Sequence, residues 1–239
     1  MDAHSSLVFP FSIIGFDLDG TLLDTSGDLA AAVNHAIGTI GRPPLPVEAV
    51  KPMIGGGARR MLEHGLTTTG GCDPVTLDML HRRLLDYYEA HLAVHTRPFP
   101  GALDALDALT AQGVTLGLMT NKLERFARAI LDALDLTHRF AAIIGGDTLG
   151  AAKPSPRPIQ AMVAQCGGGR AAFVGDSIFD VQAARGAGLP VVACAFGFLS
   201  QPVETLGADA VIQGYEALIP TLARLGSSGP SATLSTNAA

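Results

Sequence analysis

The sequence of 239 residues has no tryptophan, only three tyrosines and only three cysteines. Cys72, Cys166 and Cys194 are odd in number and widely spaced, with no close pair at metal-ligand spacing. This excludes a disulfide-stapled scaffold and a cysteine metal centre, and suits reduced thiols in a cytoplasmic protein. Charge is sparse as well: 16 basic residues face 22 acidic ones, a formal net charge of −6. Without a basic excess the chain is not equipped to neutralise a nucleic-acid backbone. A local anion site needs only a lysine and a few amides, and stays open. The opening stretch, "MDAHSSLVFPFSII", has no basic residue before its apolar run, and that run is too short to span a bilayer. Neither an export signal nor a membrane anchor is expected there.

Hydrophobic residues make up 48% of the chain, enough for a proper core. Short apolar runs occupy 11–17, 114–121, 141–147, 171–177, 190–196 and 209–213. They are apolar throughout rather than alternating, as strands covered on both faces should be. Helical patterns separate the later runs: "ALDALDALTAQG", "KLERFARAILDALDL", "PRPIQAMVAQCG" and "SIFDVQAARGAG". Strand and helix in alternation imply right-handed crossovers and a parallel sheet. Gly113, Gly188 and the Gly167–Gly169 run fall where helices should end.

Residues 25–95 break this rhythm. They read as helices with no strand, from "SGDLAAAVNHAIGTIG" to the amphipathic "DPVTLDMLHRRLLDYYEAHLA". The expected fold is therefore α/β: a Rossmann-like parallel-sheet core with an inserted all-α cap domain. The core comprises 1–24 and 96–225, the cap 25–95, and "HTRPFPG" is the return linker. The tail, 226–239, has one bulky apolar residue and is expected to be disordered.

The stretch "FDLDGT" places two carboxylates, Asp17 and Asp19, at the end of the first run. Ligands of parallel sheets bind beyond the carboxyl ends of the strands. Other run ends carry Thr120 and Asn121, Asp147 with Lys153 just after it, and Asp176 with Asp180. The sheet would gather Asp17, Asp19 and Asp176 in one crevice, where bare carboxylates repel. A hard cation with oxygen ligands, Mg²⁺, relieves this. Gly20 lets the chain turn away at once.

"DLDGTLLD", the strand ending "MTN", "AAKPSPRP" and "VGDSIFD" resemble, in order, the four motifs of the haloacid dehalogenase (HAD) superfamily of phosphotransferases. "DTSGDLAAAVN", "IGGGARRMLE", "TRPFPGALDAL" and "AFGFLSQPVETLGADAVI" are similar to segments of its phosphoglycolate phosphatases. The resemblance implies a Mg²⁺-dependent phosphomonoester hydrolase with an aspartyl-phosphate intermediate, acting on 2-phosphoglycolate. By it, Asp17 is the nucleophile and Asp19 the acid and base. Asp17, Asp176 and the Asp19 carbonyl bind the metal. Thr120, the Asn121 amide and Lys153 hold phosphate, and Asp180 supports the metal or Lys153. The implied partner is a small phosphorylated metabolite, with no nucleic acid or membrane, on a monomer or homodimer.

Competing readings stand beside these. Thr120 and Asn121 also suit the cap of the following helix. Ser177 and Asp180 have the spacing of a capping box. Asp24 leans towards capping the first helix, and Asp147 towards the edge of the site. Arg59 either reaches a substrate carboxylate from the cap or lies on a solvated face. A sugar phosphomutase, or a phosphatase of another small metabolite, is the alternative function. A phosphonatase needs a cap lysine, and Lys51, the only lysine of that block, sits beside Pro52.

Overall fold

Each of the six apolar runs contains a strand, and the stretches between them are helical. The protein's structure is a computed structural model that describes residues 9–227. β1 (Ile13–Phe16) is followed by a two-residue strand, β2 (Leu23–Asp24). Four helices come next: α1 (Ser26–Gly38), α2 (Val47–Val50), α3 (Ala58–Thr68) and α4 (Pro74–Ala90). The chain returns through β3 (Arg97–Pro98) and then alternates. The series is α5 (Ala102–Ala111), β4 (Thr115–Met119), α6 (Glu124–Ala133), β5 (Ala142–Ile144), α7 (Arg157–Gln165), β6 (Ala171–Gly175), α8 (Ile178–Gly186), β7 (Val191–Cys194), β8 (Ala210–Ile212) and α9 (Leu218–Ser227).

The large sheet has the order β5-β4-β1-β6-β7-β8, and every pairing in it is parallel. β1 lies in the middle, flanked by β4 and β6, with Phe16 opposite Leu118 and Val174. The chain builds outward from β1 on one side and then crosses to the other. The carboxyl end of β1 is therefore at the switch point, where such sheets open a crevice. The two faces of the sheet are apolar. Ile14, Phe16 and Leu118 join one buried cluster, and Met119, Ile144 and Phe173 join another. The expected helix ends hold: Gly113 and Gly188 take positive φ of 78° and 75°.

Helices α1, α3 and α4 bury a shared seam. Leu29, Val33 and Ile37 of α1 meet Met61, Leu62 and Leu66 of α3 and Leu77, Leu80, Leu84 and Tyr88 of α4 in one cluster. The leucines of α4 recur at helical spacing and face this seam. Asp73 caps α4, its side chain accepting from the amides of Val75 and Thr76. The helical block stays tied to the sheet at its two ends. β2 and β3 pair antiparallel, so the return linker is partly a strand, which composition alone did not suggest. Asp28, buried at the start of α1, accepts from the amides of His95 and Thr96 and from the Thr96 hydroxyl. Three donors on one carboxylate offset its desolvation and lock both connections together.

The tail needs one correction. α9 runs through Ser227, and Gly226 is packed: its carbonyl accepts from Arg170 at 2.7 Å, and a Cβ there would strike Pro10. The rest of the expected tail, 228–239, lies outside the described residues. Among the described residues no helix is long and apolar enough to cross a membrane.

Candidate active site

β1 ends at Phe16, so both acids of "FDLDGT" stand on the turn that follows it. The Asp17 amide still donates to Val174 of β6, at 2.9 Å, which fixes its backbone to the sheet. Its carboxylate receives the Lys153 ammonium at 2.9 Å and its neighbour's amide, Leu18 N, at 2.7 Å. Lys153 reaches it from the loop between β5 and α7, and is itself buried. The same ammonium lies 2.6 Å from Asp180 and 3.2 Å from the Met119 carbonyl. Asp176 completes the group at the end of β6. It accepts from the Phe198 amide at 2.6 Å and lies 3.5 Å from the Thr21 hydroxyl.

Gly20 explains how the chain leaves this crowd. Its φ is 77°, and a Cβ there would sit 2.1 Å from Asp176 Oδ2. A side chain would meet both backbone strain and the carboxylate.

Oxygen atoms of Asp17, Asp176 and Asp180 lie within 4.8 Å of one another. Three buried acids thus face one lysine. Burial pushes Asp17 up to about 7, against the pull of Lys153. Burial, then Asp180 and Asp17, hold Asp176 well above the carboxylate range. Burial draws Lys153 down, but Asp17 and Asp180 more than restore its charge. A cluster of hard oxygen donors carrying more negative charge than its lysine offsets is a donor set suited to a divalent cation. Asp180 stands with Asp17 and Asp176 in this side-chain set, while the Asp19 side chain turns towards Thr25 and Lys122.

Asp180 satisfies both of its readings at once. One oxygen pairs with Lys153. The other accepts from the amides of Asp176 and Ser177 and from the Ser177 hydroxyl, closing the capping box of α8. Asp19 accepts from Thr25 Oγ1 at 2.6 Å and pairs with Lys122 at 2.9 Å. Lys122 also donates to the hydroxyl of Tyr88, on α4. Burial lowers Lys122, and Asp19 and Tyr88 raise it above its ordinary value. Burial pushes the Tyr88 phenol up to about 12, so it remains a neutral hydroxyl. Neither Lys122 nor Tyr88 was singled out from sequence. The only signal was a lysine two residues beyond Thr120 at a strand end.

Thr120 is buried at the end of β4, its amide bonded to Ile144 of β5 and its hydroxyl accepting from Lys122 N. The Asn121 side chain grips the Lys153 backbone at both its N–H (2.8 Å) and its carbonyl (3.1 Å). It also donates to the Gly55 carbonyl, before α3, at 3.0 Å. Neither residue caps α6, contrary to expectation. Asp147 does so, accepting from Glu124 N at 2.8 Å, because the loop after β5 passes closer to that helix start. Asp24 accepts from the amide and hydroxyl of Ser26, a structural turn as anticipated.

Part of this set floors a cavity of about 540 Å³. Asp17, Asp19, Thr120 and Lys122 line it from the sheet side, and Gly55–Gly57, Arg59 and Arg60 from α3 and the loop before it. Arg59 is held by Asp78 and, at 3.5 Å, by Glu63, with its side chain 46% exposed. Arg60 crosses to the sheet side and lies over the ring of Phe179, 5.4 Å from its centre. Lys51 pairs with Glu48 and does not line this cavity.

The family model described as haloacid dehalogenase-like hydrolase matches residues 14–194. The chain is similar to the phosphoglycolate phosphatase of Caulobacter vibrioides, 44% identical over 205 residues, 84% of this chain and 86% of that one. It is similar to that of Agrobacterium fabrum too, 40% identical over 210 residues, 87% and 90% of the two chains. The crystal structure of a predicted phosphoglycolate phosphatase from Haemophilus somnus 129pt superposes with a TM-score of 0.82. It shares 30% identity over 89% of this chain and 98% of that one.

Proposed function

The chain belongs to the haloacid dehalogenase-like hydrolases, and from that membership and its site we propose that it hydrolyses 2-phosphoglycolate to glycolate and phosphate with bound Mg²⁺. The observation that carries the reading is the buried contact of Asp17 with Lys153 beside Asp176 and Asp180, opening on the cavity. The substrate follows the names of the relatives from Caulobacter vibrioides and Agrobacterium fabrum. Cations on the cavity wall suit a substrate with a second negative group.

In this reading an Asp17 oxygen attacks phosphorus while the bond from phosphorus to the glycolate oxygen breaks. Asp19 gives its proton to the departing alkoxide. The aspartyl-phosphate then takes a water, whose proton passes to Asp19, and phosphate leaves with Asp17 restored. Lys153 stabilises charge on the transferring group, and Thr120 and the Asn121 amide orient it. Asp17, Asp176 and the Asp19 carbonyl would hold Mg²⁺, with Asp180 beside them. When bound, Mg²⁺ supplies charge neutralisation between the carboxylates and the phosphoryl oxygens. Helices α1–α4 form a cap that excludes water and selects the substrate.

Phosphate release from 2-phosphoglycolate, sugar phosphates and nucleoside monophosphates tests the proposal. The expected result is release that prefers 2-phosphoglycolate, stops with EDTA and returns with Mg²⁺. Asp17→Asn is expected to lower it by roughly four orders of magnitude or more. Interconversion of sugar phosphates without net release would instead make the protein a mutase.

A further inference from the structure

The reaction as written leaves Lys122 unused, although its side chain is only 5% exposed and touches Asp19. Its ammonium lies between two elements, 2.9 Å from Asp19 Oδ1 and 3.0 Å from the Tyr88 hydroxyl of α4. Tyr88 is itself wedged: the Phe126 ring of α6 meets it edge-on, centres 5.6 Å apart. Thr25 donates to the same oxygen of Asp19 at 2.6 Å. Oδ1 therefore holds two donors, one of them charged, and a carboxylate oxygen has two lone pairs to offer. Among the described residues no hydrogen bond reaches Oδ2, and Asp19 lines the cavity.

We infer that Lys122, steadied by Tyr88, is a positioning residue that fills Asp19 Oδ1 and leaves Oδ2 as the oxygen that exchanges the proton. The inference rests on the acid and base role proposed for Asp19. In the first step the Oδ2–H bond breaks as the leaving oxygen gains the proton. In the second, Oδ2 receives a proton from the attacking water. Without Lys122 the carboxyl group can rotate, and the proton can sit on the wrong oxygen. Lys122 acts through Asp19 in this account and not as a substrate ligand.

Leaving-group dependence separates this role from a merely structural one. A poor alkoxide leaving group needs the proton, and p-nitrophenolate hardly does. The measurement is kcat/KM, which reports the step that expels the leaving group, for 2-phosphoglycolate and for p-nitrophenyl phosphate. Lys122→Met is expected to lose about a hundredfold on 2-phosphoglycolate and less than about fivefold on p-nitrophenyl phosphate, within the usual range of acid catalysis. Tyr88→Phe should shift the ratio the same way by a smaller factor, and Lys122→Arg should restore part of it. In an Asp19→Asn background, Lys122→Met should add almost nothing. Equal losses on both substrates, or full additivity with Asp19→Asn, would overturn the inference. If Asp19→Asn itself shows no such selectivity, the acid and base role fails and this positioning role falls with it. Selectivity in Asp19→Asn without selectivity in Lys122→Met sinks the positioning role alone.

Discussion

The two walls of the cavity are built by opposite means. On the sheet side the lining residue Asp17 is backed by Lys153, Asp176 and Asp180, all buried and bonded within the group or to backbone amides at the strand ends. On the helical side Arg59 is half exposed and tied to Asp78 and Glu63, residues that are themselves about half exposed. The first wall is fixed by the sheet and cannot be altered without leaving a charge unpaired. The second can rearrange at little cost, since exposed ion pairs contribute little. Rigid placement suits bond making and breaking, and an adaptable face suits the choice of substrate.

Of the changes that test this contrast, the largest effect should come from removing the cation behind the rigid wall. Lys153→Met leaves Asp17 and Asp180 facing each other in a buried site. Breaking a buried pair in this way costs roughly 3–5 kcal/mol. Thermal unfolding of the metal-free protein should therefore begin well below that of the wild type. Activity should fall by about 10²–10³, the usual cost of one preorganised electrostatic group. A variant within tenfold of wild-type kcat/KM would show that the sheet wall is less committed to Lys153 than its contacts imply.

Much of that wall was legible in the sequence. Four of the run ends carried polar groups, and the sheet order brought ends such as Asp17 and Asp176 to one crevice. The ties across the cavity were not legible. Lys122 meets Tyr88 over 34 positions and Asn121 meets Gly55 over 66. No periodicity or spacing encodes such contacts, because they depend on how the helical block rests on the sheet. Asp28 was hidden for the same reason, its partners being backbone amides 67 and 68 residues away. Local signals misled where a competitor lay nearer in space. Thr120 and Asn121 have the chemistry of helix caps, yet Asp147 from the next loop reaches the first amide of α6 instead.

An intermediate effect should come from the residue that joins the walls. Asn121→Ala removes both clamps on the Lys153 backbone and the bond to Gly55. The stranded buried groups should cost about 1–3 kcal/mol in denaturant unfolding. A Lys153 displaced by a fraction of an ångström should lower kcat/KM by about tenfold to a hundredfold. Loss of stability with unaltered kinetics would confine Asn121 to holding the loop.

The smallest effect is expected on the helical wall, and it is the one that decides what that wall does. Arg59 faces the cavity from α3, yet its guanidinium is held by Asp78 and Glu63. Asp78 draws it up through a hydrogen bond, and Arg59 in turn holds Asp78 below the usual carboxylate range. Truncation at so exposed a site should leave the thermal midpoint almost where it was. If the side chain swings to a substrate carboxylate, Arg59→Ala should raise KM for 2-phosphoglycolate by about fivefold, the worth of one exposed ion pair. Ethyl phosphate, which has no carboxylate, should show the same KM in both proteins, and kcat should be alike for each substrate. A KM that rises equally for both would assign Arg59 to the shape of the cavity. A KM unchanged for both would return it to the solvated face of α3, and the choice of substrate would then rest with Arg60 and the glycine turn before it.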